Sequence, residues 1–503
     1  MTAANACSRS RAITLFRAYL YCFVAIWLCG CESPDRQTIR FAIPTAAADL
    51  DPRFATDAVS DRISRLLFRA LVVFDEYSMP QPDLGSWQRK APDRYRIALE
   101  AGATFASGRA ITADDVAATY RSVLHEKNAS PHRESLVNIS SVDVIDERTV
   151  EFRLHQPDSL FPGTLVLGIM SADDIDKPVS SGRDYSGPFV LTSRSEDGSI
   201  ALRRRSDGQR VDVVVVKDMT ARALRLLAGD VDVAQGGFSP EVFSWLARQP
   251  RIRAVSSPGS TFAYIGFNMN DDVTGNRLVR QAIAHAIDRE SIIRHVFNGT
   301  ARAANGLFPP EHWAGSPELA GPSFDPELSK KLLAEAGYEN EPLTIEYKTS
   351  SNRFRLRVAT IIQHQLSKVG VRVKILSYDW GSFYGDIKAG RFQSYGLSWV
   401  GLNLPDIFRY AFHSGSIPPK GANRGRYVSA SVDRLIEAAE SAADQTERKA
   451  RYREISEKLL FDLPYIPLWY EDQLVVKRDD IDDYSTNRNG HFDGLVRTTR
   501  SAN

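Results

Sequence analysis

The sequence predicts an α/β protein of more than one domain, and three observations carry that expectation. About 470 residues follow a short N-terminal leader, room for two or three ordinary domains. The first half alternates half-buried strand patterns and hairpin signals with amphipathic helices. The second half contains a strand, helix, strand succession at residues 343–347, 354–368 and 371–376. Strands joined through a helix are parallel, so this part of the sheet should be covered by helices.

Taken in chain order, the leader comes first. Arg9, Arg11 and Arg17 form a basic region, and the thirteen residues from Ala18 to Gly30 carry no charge. That run is far short of the roughly 20 residues a spanning helix needs and suits a signal-peptide core, a retained anchor being the alternative. Leu28, Gly30 and Cys31 resemble a bacterial lipobox, which implies cleavage after residue 30 and a diacylglycerol on the Cys31 sulfur. Two acyl chains hold a protein stably on a membrane. The four cysteines are Cys7, Cys22, Cys29 and Cys31, so a chain processed in this way keeps only the acylated one. Disulfides, thiolate metal sites and a cysteine nucleophile are then excluded from the folded body.

Beyond the leader, residues 38–44 read as a strand. Residues 61–71 read as a helix with Ile63, Leu66, Leu67, Ala70 and Leu71 along one side. Tyr95, Ile97 and Leu99 alternate with polar neighbours, marking a strand over 94–100. Thr112 with Asp115 forms a capping-box start for the next helix. Residues 142–144 and 150–154 flank a turn at Asp146-Glu147-Arg148, a hairpin pattern. Asp325-Pro326 opens a helix that Gly337 ends. A strand over 395–400 runs into an irregular segment, 401–406, at a strand carboxyl end, where ligands collect in open α/β sheets. Helices over 433–444 and 447–461 precede Pro464, and residues 466–476 read as a strand returning towards the first half.

Composition narrows the classes. Lys+Arg 63 against Asp+Glu 62 gives a formal net charge of +1, with no basic stripe for nucleic acid. Arg203-Arg204-Arg205, Lys330-Lys331 and the acidic run at residues 479–483 read as solvated surface, the last lacking calcium-loop spacing. There is no nucleophile elbow, zinc-protease motif, phosphate loop or dinucleotide fingerprint, and the histidines lack metal-ligand spacing. No catalytic residue, metal site or cofactor is assigned, which favours a binding protein over a hydrolase. A glycosidase-like carboxylate pair stays open at this level.

An ordered set of blocks then identifies a family. Leu50-Asp51-Pro52 is followed by Pro82-Asp83-Leu84 with Trp87, by Phe105-Ala106-Ser107-Gly108, and by Ser186-Gly187-Pro188-Phe189. Leu226 to Asp232, Gly266-Phe267-Asn268, Val279 to Ile283 with Ala286 to Arg289, Leu332 to Tyr338, and Asp462 to Leu468 come next. Together they resemble the family five extracytoplasmic solute-binding proteins of ABC importers, the dipeptide- and oligopeptide-binding family. Within these blocks Arg280 and Asp288 read as surface or capping residues.

The resemblance implies a two-lobed periplasmic-binding-protein-like (type II) fold with an extra subdomain in the first lobe. The expected division is signal peptide 1–30; first lobe 31–73, 185–268 and 472–503; extra subdomain 74–184; second lobe 269–471. It also implies a monomer that binds a small peptide or peptide-like solute between its lobes and delivers it to permease subunits. No nucleic-acid partner is implied, and a sensor or chaperone reusing the fold is the alternative.

The segment Trp399-Val400-Gly401-Leu402-Asn403 keeps the Trp, Gly and Asn of the dipeptide-binding relatives' loop. Leu402 stands where their Asp pairs with the peptide α-ammonium. Asp406 is the nearest replacement carboxylate, and Trp399 offers an aromatic face. Trp399, Gly401, Asn403 and Asp406 are therefore the expected ligand-binding residues. For Asp406, capping of a helix starting at Ile407 is an equal reading. Cys31→Ser should release the protein from the membrane fraction; unchanged attachment of a processed protein would refute the lipid anchor.

Overall fold

The computed structural model describes residues 37–177, 182–442 and 444–501. The leader and Cys31 lie outside the described residues. The backbone is organised by two unusually long strands, Ile252–Phe267 and Tyr465–Arg478, paired antiparallel along their length. At one end, Ile252 to Ser257 pair with Arg478 to Gln473. At the other, Thr261 to Gly266 pair with Glu471 to Tyr465. The register breaks between Ser257 and Thr261, so Pro258, Gly259 and Ser260 form a bulge opposite Glu471 and Asp472.

This pair stands in the middle of an eleven-stranded sheet. On one side lie Val233–Gln235, Ile39–Ile43, Arg210–Val215, Ile200–Arg204 and Phe189–Arg194, around a core containing Phe41, Val211 and Val475. On the other lie Ser394–Trp399, Leu343–Ser350 and Val371–Tyr378. Leu343↔Val371 to Ser350↔Tyr378 are in parallel register, and the connecting helix Arg353–Ser367 buries Val358, Ile362 and Leu366 against them. The strand–helix–strand expectation is met because Asn352 caps that helix through the Phe354 and Arg355 N–H groups, while Gly370, in the left-handed region, stops it.

A separate four-stranded antiparallel sheet, Gly85–Ala91, Arg94–Leu99, Thr149–Leu154 and Ile139–Asp146, packs against helix Ala113–Leu124. Asp115 accepts from the Thr112 N–H at 2.9 Å, one half of the expected capping box. Three helices differ from the sequence reading. The first runs Ala58–Leu67, because Asp57 caps it and Phe68 turns extended to carry Val72–Phe74 into a short strand pair. The last pair runs Ala430–Ser441 and Gln445–Asp462.

Three charge assignments also change. Arg204 is buried rather than solvated, donating to the carbonyls of Leu495, Val496 and Thr498 and pairing with Asp207. In the acidic run, Asp480 is tied to Arg500 and Arg478. Arg280 is neither surface nor cap: it is 4 % exposed and donates to the carbonyls of Asp462, Thr274 and Gly275. It thereby fastens helix Arg277–His285 to the turn that launches the second long strand. Sequence periodicity misses this because a guanidinium can satisfy several carbonyls that local pattern does not bring together.

At the bulge, a Cβ on Gly259 would overlap the Glu471 carbonyl oxygen. Backbone cannot yield as a flexible side chain does, so the two long strands would have to separate there. Gly259→Ala should lower the denaturant midpoint by the equivalent of about 1–3 kcal/mol, the usual cost of overpacking. An unchanged midpoint would mean that the bulge tolerates the opening.

Candidate functional site

Strand Ser394–Trp399 sits between Ile252–Phe267 and Leu343–Ser350, and its carboxyl end delivers Trp399 opposite Phe262. Val400 is exposed, and Gly401 takes a φ of +71°, which turns the chain away from the sheet. Leu402 then drops into an apolar cluster with Phe262, Phe308 and Phe408. Apolar burial is thus what Leu402 does in this loop.

Asn403 is held from two directions. Its carbonyl accepts from His312 Nε2 at 2.9 Å, and its side-chain oxygen accepts from Asn489 Nδ2. The His312 Nδ1 accepts from the Ala314 N–H, and the ring stacks on Phe308 with centroids 4.1 Å apart. Burial pushes His312 down to about 4, so it is a neutral donor at Nε2 near neutral pH. Leu404 packs where a Cβ on Gly163 would stand, in the segment that follows the four-stranded subdomain. Ser159 from the same segment donates to the Glu440 carbonyl at 2.7 Å. Residues 402–404 are therefore the meeting point of the helical second half, the antiparallel subdomain and the C-terminal loop.

Asp406 begins helix Ile407–Phe412 but makes no side-chain capping bond. Asp406 is exposed on one side; the protein packed around the rest of it, with Asp158 and Glu440 nearby, pushes its carboxyl up to about 7. Glu440 is already neutralised by a two-pronged contact from Arg409, and no ion pair to Asp406 is formed among the described residues. An acid raised in this way is waiting for a positive partner or a proton.

Trp399 carries the Arg424 guanidinium 4.6 Å from its ring centroid and meets Tyr410 edge-on at 6.2 Å. Its indole Nε1 is buried without a hydrogen-bond partner. The four expected residues therefore lie on one short stretch. Trp399 faces a cation, Asn403 bridges the bodies, Asp406 sits in an acidic recess, and Gly401 supplies only the turn.

A cavity of about 1080 Å³ has none of these four in its wall. It is lined from several distant segments, among them Asp61, Arg65, Phe68, Leu136, Thr164 and Asn489, and reaches Pro258 at the bulge. Asn489 is also the partner of Asn403, and Thr164 adjoins Gly163 against Leu404, so the cavity runs beside the 402–404 contact. Many of its charges are internally matched: Arg65 with Asp61, and Arg69 with both Asp83 and Glu100. Arg205 donates to the Phe105 and Thr104 carbonyls. Such a wall suits a polar solute of little net charge. His312 and the cavity wall were missed in the sequence because isolated charged and aromatic residues from unconnected segments carry no spacing signal. Among the described residues no cluster of His, Cys, Asp or Glu forms a metal site, and no helix is long and apolar enough to cross a membrane.

Comparison with known proteins matches residues 80–417 to the model of the bacterial extracellular solute-binding proteins, family 5 (Middle). A dipeptide-binding protein of Pseudomonas aeruginosa is 26 % identical over 475 residues, covering 85 % of this chain and 88 % of its own. Heme-binding protein A of Haemophilus influenzae is 26 % identical, covering 87 % and 88 %. The periplasmic binding protein DppA of Helicobacter pylori, solved with the peptide STSA, superposes with a TM-score of 0.76 at 25 % identity, covering 92 % and 98 %.

A carboxyl whose folded pKa lies above its unfolded value binds protons more readily when folded, so it makes stability fall as pH rises, here from about 4 to about 7. His312, shifted down, acts oppositely over the same range. The difference between wild type and Asp406→Asn isolates the carboxyl: the variant should gain relative stability as pH rises through that window. A pH-independent difference in urea midpoints would show that Asp406 titrates normally.

Proposed function

Because the chain belongs to the bacterial extracellular solute-binding proteins of family 5, we propose that it is the extracytoplasmic, lipid-anchored receptor of an ABC importer, taking a peptide or peptide-like solute to its permease. The observation that carries this reading is the 1080 Å³ cavity set beside both the bulge in the two long strands and the 402–404 contact. Its volume is at the upper end for small-molecule sites and admits a short peptide. The two strands link the halves of the sheet, and hinge closure works through a few such residues.

The proposed bodies are a first lobe, 31–73, 185–268 and 472–503; its extra subdomain, 74–184; and a second lobe, 269–471. The bulge supports moving the first crossing from residue 268 back to 257–261, opposite 471–473, so that residues 262–268 go with the second lobe. Trp399, Gly401, Asn403 and Asp406 belong to the second lobe's contribution, with Asp406 the partner of a solute ammonium. The protein acts as a monomer, without turnover of its solute.

The dipeptide-binding relative favours a peptide, and the heme-binding relative supports a second reading, a non-peptide solute. Leu402 favours the second reading to the extent that the loop carboxylate is gone. Free and N-acetylated short peptides decide between them. The peptide reading expects free peptides to bind, to compact the protein in solution scattering and to be recovered intact. Acetylation and Asp406→Ala should each weaken binding about tenfold or more, as loss of one partner of an enclosed charge pair does. Indifference to both would favour a non-peptide or amino-blocked solute.

A further inference from the structure

Arg424 is 5 % exposed and has no carboxylate partner among the described residues. Its guanidinium donates only to the phenol oxygens of Tyr264, at 3.3 Å, and Tyr384, at 3.1 Å. It also lies against aromatic faces, 4.6 Å from the Trp399 centroid and 5.4 Å from that of Tyr384. Phenols are neutral at physiological pH, so a permanent positive charge is enclosed with no counter-charge. Cation–π contact offsets part of that cost, whereas an enclosed charge is ordinarily matched by an opposite one.

The surroundings extend the same feature to the surface. Trp380, 58 % exposed, stacks on Tyr384 with centroids 5.4 Å apart and planes 6° from parallel. Tyr410, 49 % exposed, closes the other end against Trp399. Lys388 adds a second cation 5.2 Å from the Tyr384 centroid. The acids at helix Trp380–Ala389 are engaged elsewhere: Asp379 caps it through the Ser382 N–H, and Asp386 pairs with Lys348 and Arg391. Trp380, Tyr384, Arg424, Trp399 and Tyr410 thus form a continuous aromatic ladder, open at both ends, with an unmatched guanidinium at its centre. A run of exposed aromatics around an enclosed charge marks a recognition surface rather than ordinary packing.

We infer that Arg424, framed by Trp399 and Tyr384, receives a carboxylate of the bound solute. This rests on the solute-receptor reading of the same site and adds the charge that the solute must bring. It also separates two poles: a cation-seeking recess at Asp406 and an anion-seeking one at Arg424, on either side of the Trp399–Tyr410 contact.

The test titrates wild type, Arg424→Gln and Arg424→Lys with trialanine, trialanine amide, an amino-blocked and amidated Ala-Glu-Ala, and benzoate, at matched ionic strength. Tryptophan fluorescence and thermal shift report binding. The expected result is that Arg424→Gln weakens carboxylate-bearing probes tenfold or more and leaves trialanine amide unchanged, with Arg424→Lys in between. Loss confined to trialanine places the main-chain carboxylate at Arg424; loss with the blocked Ala-Glu-Ala places a side-chain one there. If no peptide binds wild type but benzoate stabilises it and not Arg424→Gln, the peptide reading fails and the carboxylate inference stands. Should Arg424→Gln not fold, Arg424→Lys against wild type carries the comparison. Equal response of acids and amides, or no response of wild type to any carboxylate beyond that to chloride, overturns the inference.

Discussion

Two strands that run through both halves of one sheet impose a constraint on everything attached to them. Ile252–Phe267 and Tyr465–Arg478 share hydrogen bonds on both sides of the Pro258 to Ser260 bulge, so each half of the sheet is rigid in itself. Relative motion is left to the few residues where the ladder is interrupted. Gly259 makes the close crossing with the Glu471 carbonyl possible, and Arg280 pins the turn from which the second strand starts. The cavity also reaches this interruption, at Pro258.

Around that interruption the protein treats charge in two ways. Structural cations are saturated: Arg280 and Arg204 each hold several carbonyls, and Arg69 holds two carboxylates. Near the end of strand Ser394–Trp399 the pattern reverses. Among the described residues Asp406 lacks a cation and Arg424 lacks an anion; Arg424 is buried, whereas Asp406 keeps an exposed side. Saturated charges hold bodies together; unsaturated ones are groups whose partners a solute can supply.

The departure at Leu402 belongs to the same logic. Its side chain helps to glue the segment to Phe262, Phe308 and Phe408, while His312 and Asn489 fix Asn403. The loop is thus held by packing and neutral hydrogen bonds. On either side of it stand Asp406 and Arg424, neither of them ion-paired among the described residues.

Much of the local structure was legible in the chain. Alternation at Tyr95, Ile97 and Leu99, the spacing of Ile63, Leu66 and Leu67, and stop signals such as Gly337 located strands and helices, because these depend on neighbours a few residues away. The ordered family blocks extended this to the α/β class and the solute-binding family, and to Trp399 at the end of its strand. What tertiary structure alone decided was which distant groups meet. The burial of Arg280 and Arg204, the His312 hold on Asn403, the cavity wall from Asp61 to Asn489, and the isolation of Arg424 among tyrosines all join residues tens to hundreds of positions apart. Periodicity and capping are short-range effects written in adjacent residues, whereas desolvation and charge matching are set by whatever the fold brings within a few ångströms.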